Sequence, residues 1–318
     1  GKSVCLPKTA WPPTSGMKRC LWIVAAALLT AGCVNSRGDE YDPVVEVVFT
    51  PVMHGSVRSV GQNYPDDMPF GVCAWSLPSN RRWETERGSA EEFLVDERVA
   101  HGEEAWSMER RVEWPARTRL LSFLGYAPYD AASGCDRNAG VRFDGVDTSA
   151  ERTDLLYTDP IADVSKFTGG GVVPVVFRHA LCKVDFRVHR TPAGGGSIIV
   201  RRIWLESVRH KGDFASLREP QWVLADDAAS ELFFEGETEA QYSIRPVGEA
   251  HFMIPQRLDC AVCVELDYVN PWGGTVRQRL STRPLDSTFE AGRHYTLTLT
   301  LSPDEVQFLQ EAMNLEIE

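Results

Sequence analysis

The stretch His294-Tyr-Thr-Leu-Thr-Leu-Thr-Leu301 decides the fold class. Tyr295, Leu297, Leu299 and Leu301 fall on one side, and Thr296, Thr298 and Thr300 on the other. A period of two means a strand with one face in a core. The same texture recurs toward the N-terminus. Val44 to Val52, Phe70 to Leu77, Ser107 to Trp114 and Thr118 to Tyr126 read as strands. So do Val172 to Phe177, Leu181 to Val188, Ser197 to Val208, Ala261 to Tyr268 and Thr275 to Leu280. In Ser107 to Trp114, Met108, Val112 and Trp114 share one face; the long Ser197 run carries Ile198, Val200, Ile203 and Leu205. Turn signals separate the runs, among them Thr191-Pro-Ala-Gly-Gly-Gly196 and Asn270-Pro-Trp-Gly-Gly274. Only Glu91 to Arg98 and Pro160 to Phe167 suggest helix. Many short strands with turns between them predict an all-β chain of packed sandwiches. The glycine triplet in Lys166 to Gly171 suits a hinge or wide turn, so the expected division is an N-terminal domain over 44–170 and a C-terminal one over 171–318.

The front of the chain reads as targeting sequence rather than fold. Lys18 and Arg19 follow Met17, and Leu21 to Leu29 is nearly all apolar. Small residues and Cys33 close the run, the order of a secretory signal peptide over residues 1–32. The apolar run is shorter than the roughly 20 residues a bilayer span needs. Leu29-Thr-Ala-Gly-Cys33 resembles the lipobox of bacterial lipoproteins, with Thr30 where a branched aliphatic is usual. Cleavage is therefore expected before Cys33, with lipid on its sulfur and residues 33–43 as a polar tether. Acyl chains add about 0.8 kcal/mol per buried methylene, enough to hold a protein to a membrane. The residues before Met17 fit no signal pattern, which makes Met17 the expected start.

Composition narrows the partners. Without Lys2, Lys8, Lys18 and Arg19, 29 of the 33 basic residues face 45 acidic ones, a net charge of about −16. Such a surface repels nucleic acid and anionic lipid. Cys73, Cys135, Cys182, Cys260 and Cys263 follow Cys33. An odd number leaves at least one unpaired within the chain. Cys73 and Cys135 are close enough in the first half to pair, but spacing alone does not place them. Cys260-Ala-Val-Cys263 has a redox spacing, yet it opens a strand, where positions three apart face opposite ways.

Catalytic patterns are sparse. The seven histidines show no metalloprotease or structural-zinc spacing, and the glycine triplets lack a following Lys-Ser/Thr. No Gly-x-Ser-x-Gly elbow occurs. His179 and Cys182 are expected to face apart rather than act as a nucleophile pair. Asp66-Asp67 and Asp226-Asp227 read as solvated turns. Neither an enzyme nor a cofactor or metal is expected. Of the tryptophans, Trp272 sits in a turn and is the candidate for a ligand surface.

Two later motifs carry a resemblance. Asp154-Leu-Leu-Tyr157 leads to Pro174-Val-Val-Phe-Arg-His-Ala-Leu-Cys-Lys-Val-Asp-Phe-Arg-Val188, and Phe252-Met-Ile-Pro-Gln256 and Phe289-Glu-Ala-Gly-Arg-His-Tyr295 follow. Together they resemble the fimbrillin family, including the Mfa-like proteins of type V pili. The resemblance implies two transthyretin-like β-sandwiches in tandem and assembly by strand exchange. A trypsin-like protease would remove the lipidated N-terminus with its first strand, and a strand from another subunit would fill the groove. Val44 to Val52 is then the removable strand. Arg58 is the expected processing site, and a cut at Arg37 would release only the tether. The tail, with Val306, Phe308, Met313, Leu315 and Ile317, is the candidate donor. The expected partners are other pilin subunits, with the outer membrane reached through the lipid anchor. A non-polymerising surface lipoprotein that binds glycan or a host protein through the surface around Trp272 stays open as the alternative.

Overall fold

The computed structural model describes residues 41–54, 64–131 and 133–315. Cys33, Arg37, Arg58 and Ile317 lie outside the described residues, as do the leader and most of the tether. Ten strands form the first part. They are β1 Val48–Met53, β2 Phe70–Pro78, β3 Glu91–His101, β4 Trp106–Met108 and β5 Arg119–Ala127. Then come β6 Ser133–Asp136, β7 Gly140–Asp147, β8 Leu156–Thr158, β9 Ile161–Val164 and β10 Val172–His179. The rest begins with β11 Cys182–Arg190, β12 Ser197–Arg209, β13 Lys211–Ala215, β14 Trp222–Leu224, β15 Ala228–Glu239 and β16 Arg245–Met253. It ends with β17 Gln256–Leu258, β18 Val262–Val269, β19 Thr275–Ser281, β20 Ser287–Phe289, β21 Arg293–Leu301 and β22 Val306–Asn314. The expectation of an all-β chain holds.

The first sheet runs β1-β10-β8-β5-β2-β3-β4, with β9 on β5. The second runs β14-β13-β7-β6, and β17 pairs with β20 apart from the larger sheets. The third, β16-β11-β21-β22, and the fourth, β15-β12-β18-β19, enclose one core between them. The division expected between residues 170 and 171 falls just before β10, which hydrogen-bonds to β1 and β8 in the first sheet. The second sheet also joins β6 and β7 to β13 and β14, strands from either side of that point.

The alternation that decided the fold class does its packing in β21. Tyr295, Leu297, Leu299 and Leu301 enter the core between the third and fourth sheets. Strand β21 lies between β11, parallel to it, and β22, antiparallel. In β12 the apolar positions slip from Ile198 and Val200 to Ile203 and Leu205. The pairing register shifts between Val200 and Arg202 on both neighbours. A bulge turns one extra residue out of phase, so both halves of the strand keep their apolar side inward.

Both helix expectations are corrected. Glu91 to Arg98 lies within β3 and pairs with β2, and Ile161–Val164 is β9 on β5. Glutamate and leucine favour helix locally, but that preference is below about 1 kcal/mol per residue. Pairing at the sheet buries Leu94 and Val99 and outweighs it. Asp96, at φ 50°, marks the irregular point where the β2–β3 register slips.

Outside the core, Asp267 on β18 shows how the fourth sheet's polar face is tied. It accepts from Arg277 Nε at 2.7 Å and from Arg201 Nε at 2.8 Å. These guanidinium groups, Arg277 first, hold its carboxyl down to about 2. An unfolded aspartate titrates near 3.9. The resulting stabilisation is therefore full above that value and lost as pH falls through about 2. Asp267→Asn is expected to be less stable than the parent at pH 7 and to converge with it near pH 2, as read by urea unfolding at the two pH values.

Candidate assembly site: the first strand and the C-terminal tail

Strand β1 closes a seam. On one side it runs parallel to β10, from Val48 opposite Val172 to Met53 opposite Phe177. On the other side the residues leading into it meet the chain after β4. Val47 N donates to Val112 O at 2.8 Å, Trp114 N donates to Val45 O at 2.8 Å, and Glu46 bridges to Glu113. Residues 45–53 therefore pair with β10 on one side and with residues 112–114, which follow β4, on the other. Val47, Phe49, Pro51 and Met53 point inward and are buried, while Thr50 faces out. Phe49 sits edge-on to Phe70 at 6.4 Å and to Phe123 at 5.7 Å between ring centres. Burying a Val, Phe or Met side chain is worth roughly 1.5–3 kcal/mol. The segment's inward row therefore represents a large share of the roughly 5–15 kcal/mol by which whole domains are stable.

A polar clamp, invisible in the sequence, holds the entry to this strand. Lys166 is buried at 5% exposure. Its Nζ pairs with Asp42 and donates to Pro43 O at 3.0 Å. Asp42 also accepts from Arg117 N at 3.1 Å. These contacts hold the Asp42 carboxyl below its ordinary range, the hydrogen bond from Lys166 first among them. The glycine triplet, expected as a hinge or wide turn, lies in a 3-10 turn, Thr168–Gly171. Gly171, at φ 90°, must be glycine: a Cβ there would lie 2.5 Å from Val45 Cγ1 and 2.9 Å from Glu46 O. Its carbonyl accepts from Trp114 Nε1 at 3.1 Å.

Past the strand, His54 N donates to Phe177 O at 2.8 Å, and Tyr64 stacks on Phe177 at 5.0 Å between ring centres. Both ends of the interval that contains Arg58 are thus fixed on β10.

The tail forms β22, a hairpin with β21 and the last strand of the third sheet. Its candidate donor residues do not share one face. Val306 is buried, and Phe308 packs against the core under the Arg283 guanidinium at 5.2 Å. Met313 lies on the opposite face with Leu309, at 59% and 62% exposure. Leu315 is buried beyond the strand, where its N–H donates to Gly292 O at 2.8 Å.

The family motifs resolve into a buried pair. Asp154 Oδ2 lies 2.6 Å from His179 Nδ1, joining the segment before β8 to the end of β10. Burial raises the Asp154 carboxyl above its ordinary range, with His179 opposing. Ala180 N donates to Leu155 O at 2.7 Å, and Trp222 Nε1 donates to Ala180 O at 2.8 Å. The Asp-Leu-Leu-Tyr and Phe-x-His-Ala signatures thus lock the point where the chain leaves the first sheet for the third. His179 and Cys182 do not act together. The Cys182 thiol contacts Met253 O at 3.3 Å, and burial pushes it up to about 12.

With this geometry in view, the relatives are informative. The family model described as fimbrillin-like matches residues 58–317. The chain belongs to the fimbrillin-like family. A fimbrium subunit, Fim1C, of Phocaeicola vulgatus is 23% identical over 189 residues, 52% of this chain and 50% of its own length. The chain thus spans about half the length of that curated relative. A fimbrial protein from Bacteroides vulgatus superposes with a TM-score of 0.64 at 16% identity, covering 85% of this chain and 99% of its own. A candidate cell adhesion protein from Bacteroides uniformis gives 0.56 at 13%, covering 85% and 98%. At these identities the structures share the fold. Among the described residues of this fimbrillin-like chain, no group of three His, Cys, Asp or Glu side chains could hold a metal ion.

The other ligand candidate, Trp272, projects from the β18–β19 turn at 90% exposure. Asn270 Oδ1 accepts from the N–H groups of Trp272 and Gly274, each at 3.0 Å, which fixes the turn. Trp75, Trp83, Trp114 and Trp222 are buried in cores, as expected.

Phe49→Ala is expected to lower the unfolding free energy by about 3–5 kcal/mol through the cavity at the seam. Thr50→Ala, on the outer face, should change it by less than about 0.5 kcal/mol. Urea titration of the uncut chain measures both.

Proposed function

We propose that this fimbrillin-like chain is a structural and adhesive subunit, or an accessory protein, of a surface fimbrium, assembled by protease-triggered strand exchange. The observation that carries the proposal is the position of β1. With the residues that lead into it, it pairs with β10 on one side and with residues 112–114 on the other, and it carries inward-facing Val47, Phe49, Pro51 and Met53. A cut at Arg58 would separate it covalently from Tyr64 onward. A cut at Arg37 would leave the strand in place. Loss of the strand would uncover Val173, Val175 and Phe177 on β10 and leave its backbone edge unpaired, which favours a replacement strand.

In this reading the tail is the replacement strand, and its two faces divide the work. Val306 and Phe308 keep it on its own sheet before assembly. Leu309 and Met313, exposed on the opposite face, are the apolar residues offered to a neighbour, and Leu315 and Ile317 would join them only once the end of the tail leaves its place beside Gly292. Export of a precursor lipidated at Cys33 would place the protein on the outer membrane before cleavage, and in the fimbrium after it. The function is mechanical, with no enzymatic step and no cofactor. Its partners are other pilin subunits.

The test is limited trypsin digestion of the full chain made without lipid. The expected result is a cut near Arg58 followed by a ladder of oligomers on sizing. Deletion from Asp304 onward should leave a folded monomer that is cut but forms no ladder. Leu309→Asp and Met313→Asp should also abolish the ladder while shifting monomer stability by less than about 0.5 kcal/mol, because both positions are exposed. A ladder that persists in the deletion variant would remove the tail from the mechanism.

The fixed, exposed Trp272 favours a second reading, a non-polymerising surface lipoprotein that holds a glycan or host protein against the indole. An indole face can stack on a sugar ring. In that case the uncut chain should give hits on a glycan array that vanish with Trp272→Ala, and trypsin should produce no ladder.

A further inference from the structure

Two cysteines of the first part meet in the core between the first and second sheets. Cys73 is on β2, opposite Leu124 of β5. Its side chain lies in the core with Trp75, Leu124 and Phe143. Cys135 is on β6, the edge strand of the second sheet, and packs against that same core. Its Sγ lies 3.9 Å from Leu124 O, beside the residue that Cys73 faces across the ladder. Two separate strand registers therefore bring the two cysteines, free in the structure, to the same residue of β5 in one core.

The remaining described cysteines have other neighbours. Cys182 contacts Met253 O at 3.3 Å. Cys263 contacts Glu206 and Ser281, each at 3.1 Å. Cys260 is buried in the core between the third and fourth sheets.

We propose that Cys73 and Cys135 form a disulfide in the exported protein, stapling the β6–β7 hairpin of the second sheet to the centre of the first. The oxidant is a disulfide-bearing protein or small thiol-disulfide of the extracytoplasmic compartment, where such bonds persist. One cysteine thiolate attacks a sulfur of the oxidant's disulfide and expels a thiolate, giving a mixed disulfide. The second cysteine loses its proton, displaces the oxidant's remaining sulfur and completes the protein S–S bond. The oxidant takes up the two electrons and two protons and leaves as two thiols.

Because Cys73 is 4% exposed, attack by either thiolate belongs to the stage before the second sheet settles on the first. The bond closes a long loop that includes β3, β4 and β5, and long loops gain most from a cross-link. It ties together parts of the chain that the removal of β1 would not touch, and it does not depend on strand exchange.

The experiment uses the full chain exported to an oxidising periplasm. Free thiols are blocked with N-ethylmaleimide in denaturant without reductant, and the digest is read by mass spectrometry before and after reduction. The expected product is one cross-linked pair carrying Cys73 and Cys135, lighter by two hydrogens than the separate peptides and lost on reduction. Reductant should lower the melting temperature of the parent and leave a variant with both Cys73→Ser and Cys135→Ser unmoved. Full blocking of Cys73 and Cys135 in the parent, even after exposure to oxidised glutathione, would overturn the proposal. So would a bond from either of them to any other cysteine. Both readouts are made on the parent, so a serine variant that misfolds does not decide the matter.

Discussion

The edge-on contact of Phe49 with Phe70 and Phe123 is the interaction from which the first sheet takes its form. Residues 45–53 hydrogen-bond to β10 on one side and to residues 112–114 on the other, and they add an inward row of Val47, Phe49, Pro51 and Met53. Around it the chain concentrates its less ordinary devices. A buried lysine holds Asp42 and Pro43, a glycine at positive φ lets Val45 approach, and a tryptophan N–H reaches the carbonyl of that glycine. Hydrophobic burial supplies the energy. The polar clamp fixes where the strand enters and hence its register, since a one-residue slip would turn Phe49 out to solvent.

The second organising contact is the buried Asp154–His179 pair. A carboxylate and an imidazole removed from water are costly unless they satisfy each other. Their pairing therefore singles out one arrangement of the segment before β8 against the end of β10. The neighbouring bonds from Ala180 and Trp222 extend that arrangement to β14. This is why the motif residues that resemble the family are polar although they lie in a core. They specify where the chain crosses between sheets rather than carry out a reaction.

What the sequence made legible follows from how many forces act on each segment. β21 was plain because its two faces differ completely, and β2, β5 and β18 were found because near-continuous burial leaves little polar interruption. β3 and β9 were mistaken for helix because their charged and helix-favouring residues hide a pairing decided by neighbours far along the chain. β15 and β16 escaped notice because much of each is exposed and polar. At the candidate assembly site, the first strand was marked by its β-branched apolar run and the tail by apolar alternation. The division of the tail into two faces was not, since Val306 and Phe308 are out of phase with Met313 and Leu315. Lys166 was missed altogether: its partners are 124 and 123 residues away, at Asp42 and Pro43, and no local pattern encodes that contact.

The pairing of residues 45–53 bears on how β10 avoids unwanted partners. An open sheet edge is a row of unsatisfied donors and acceptors that recruits whatever strand is nearby, including those of misfolded neighbours. With β1 laid parallel along it from Val172 to Phe177, that edge of β10 is satisfied within the molecule. Because the covering strand belongs to the same chain, it competes with any outside strand at a high effective concentration.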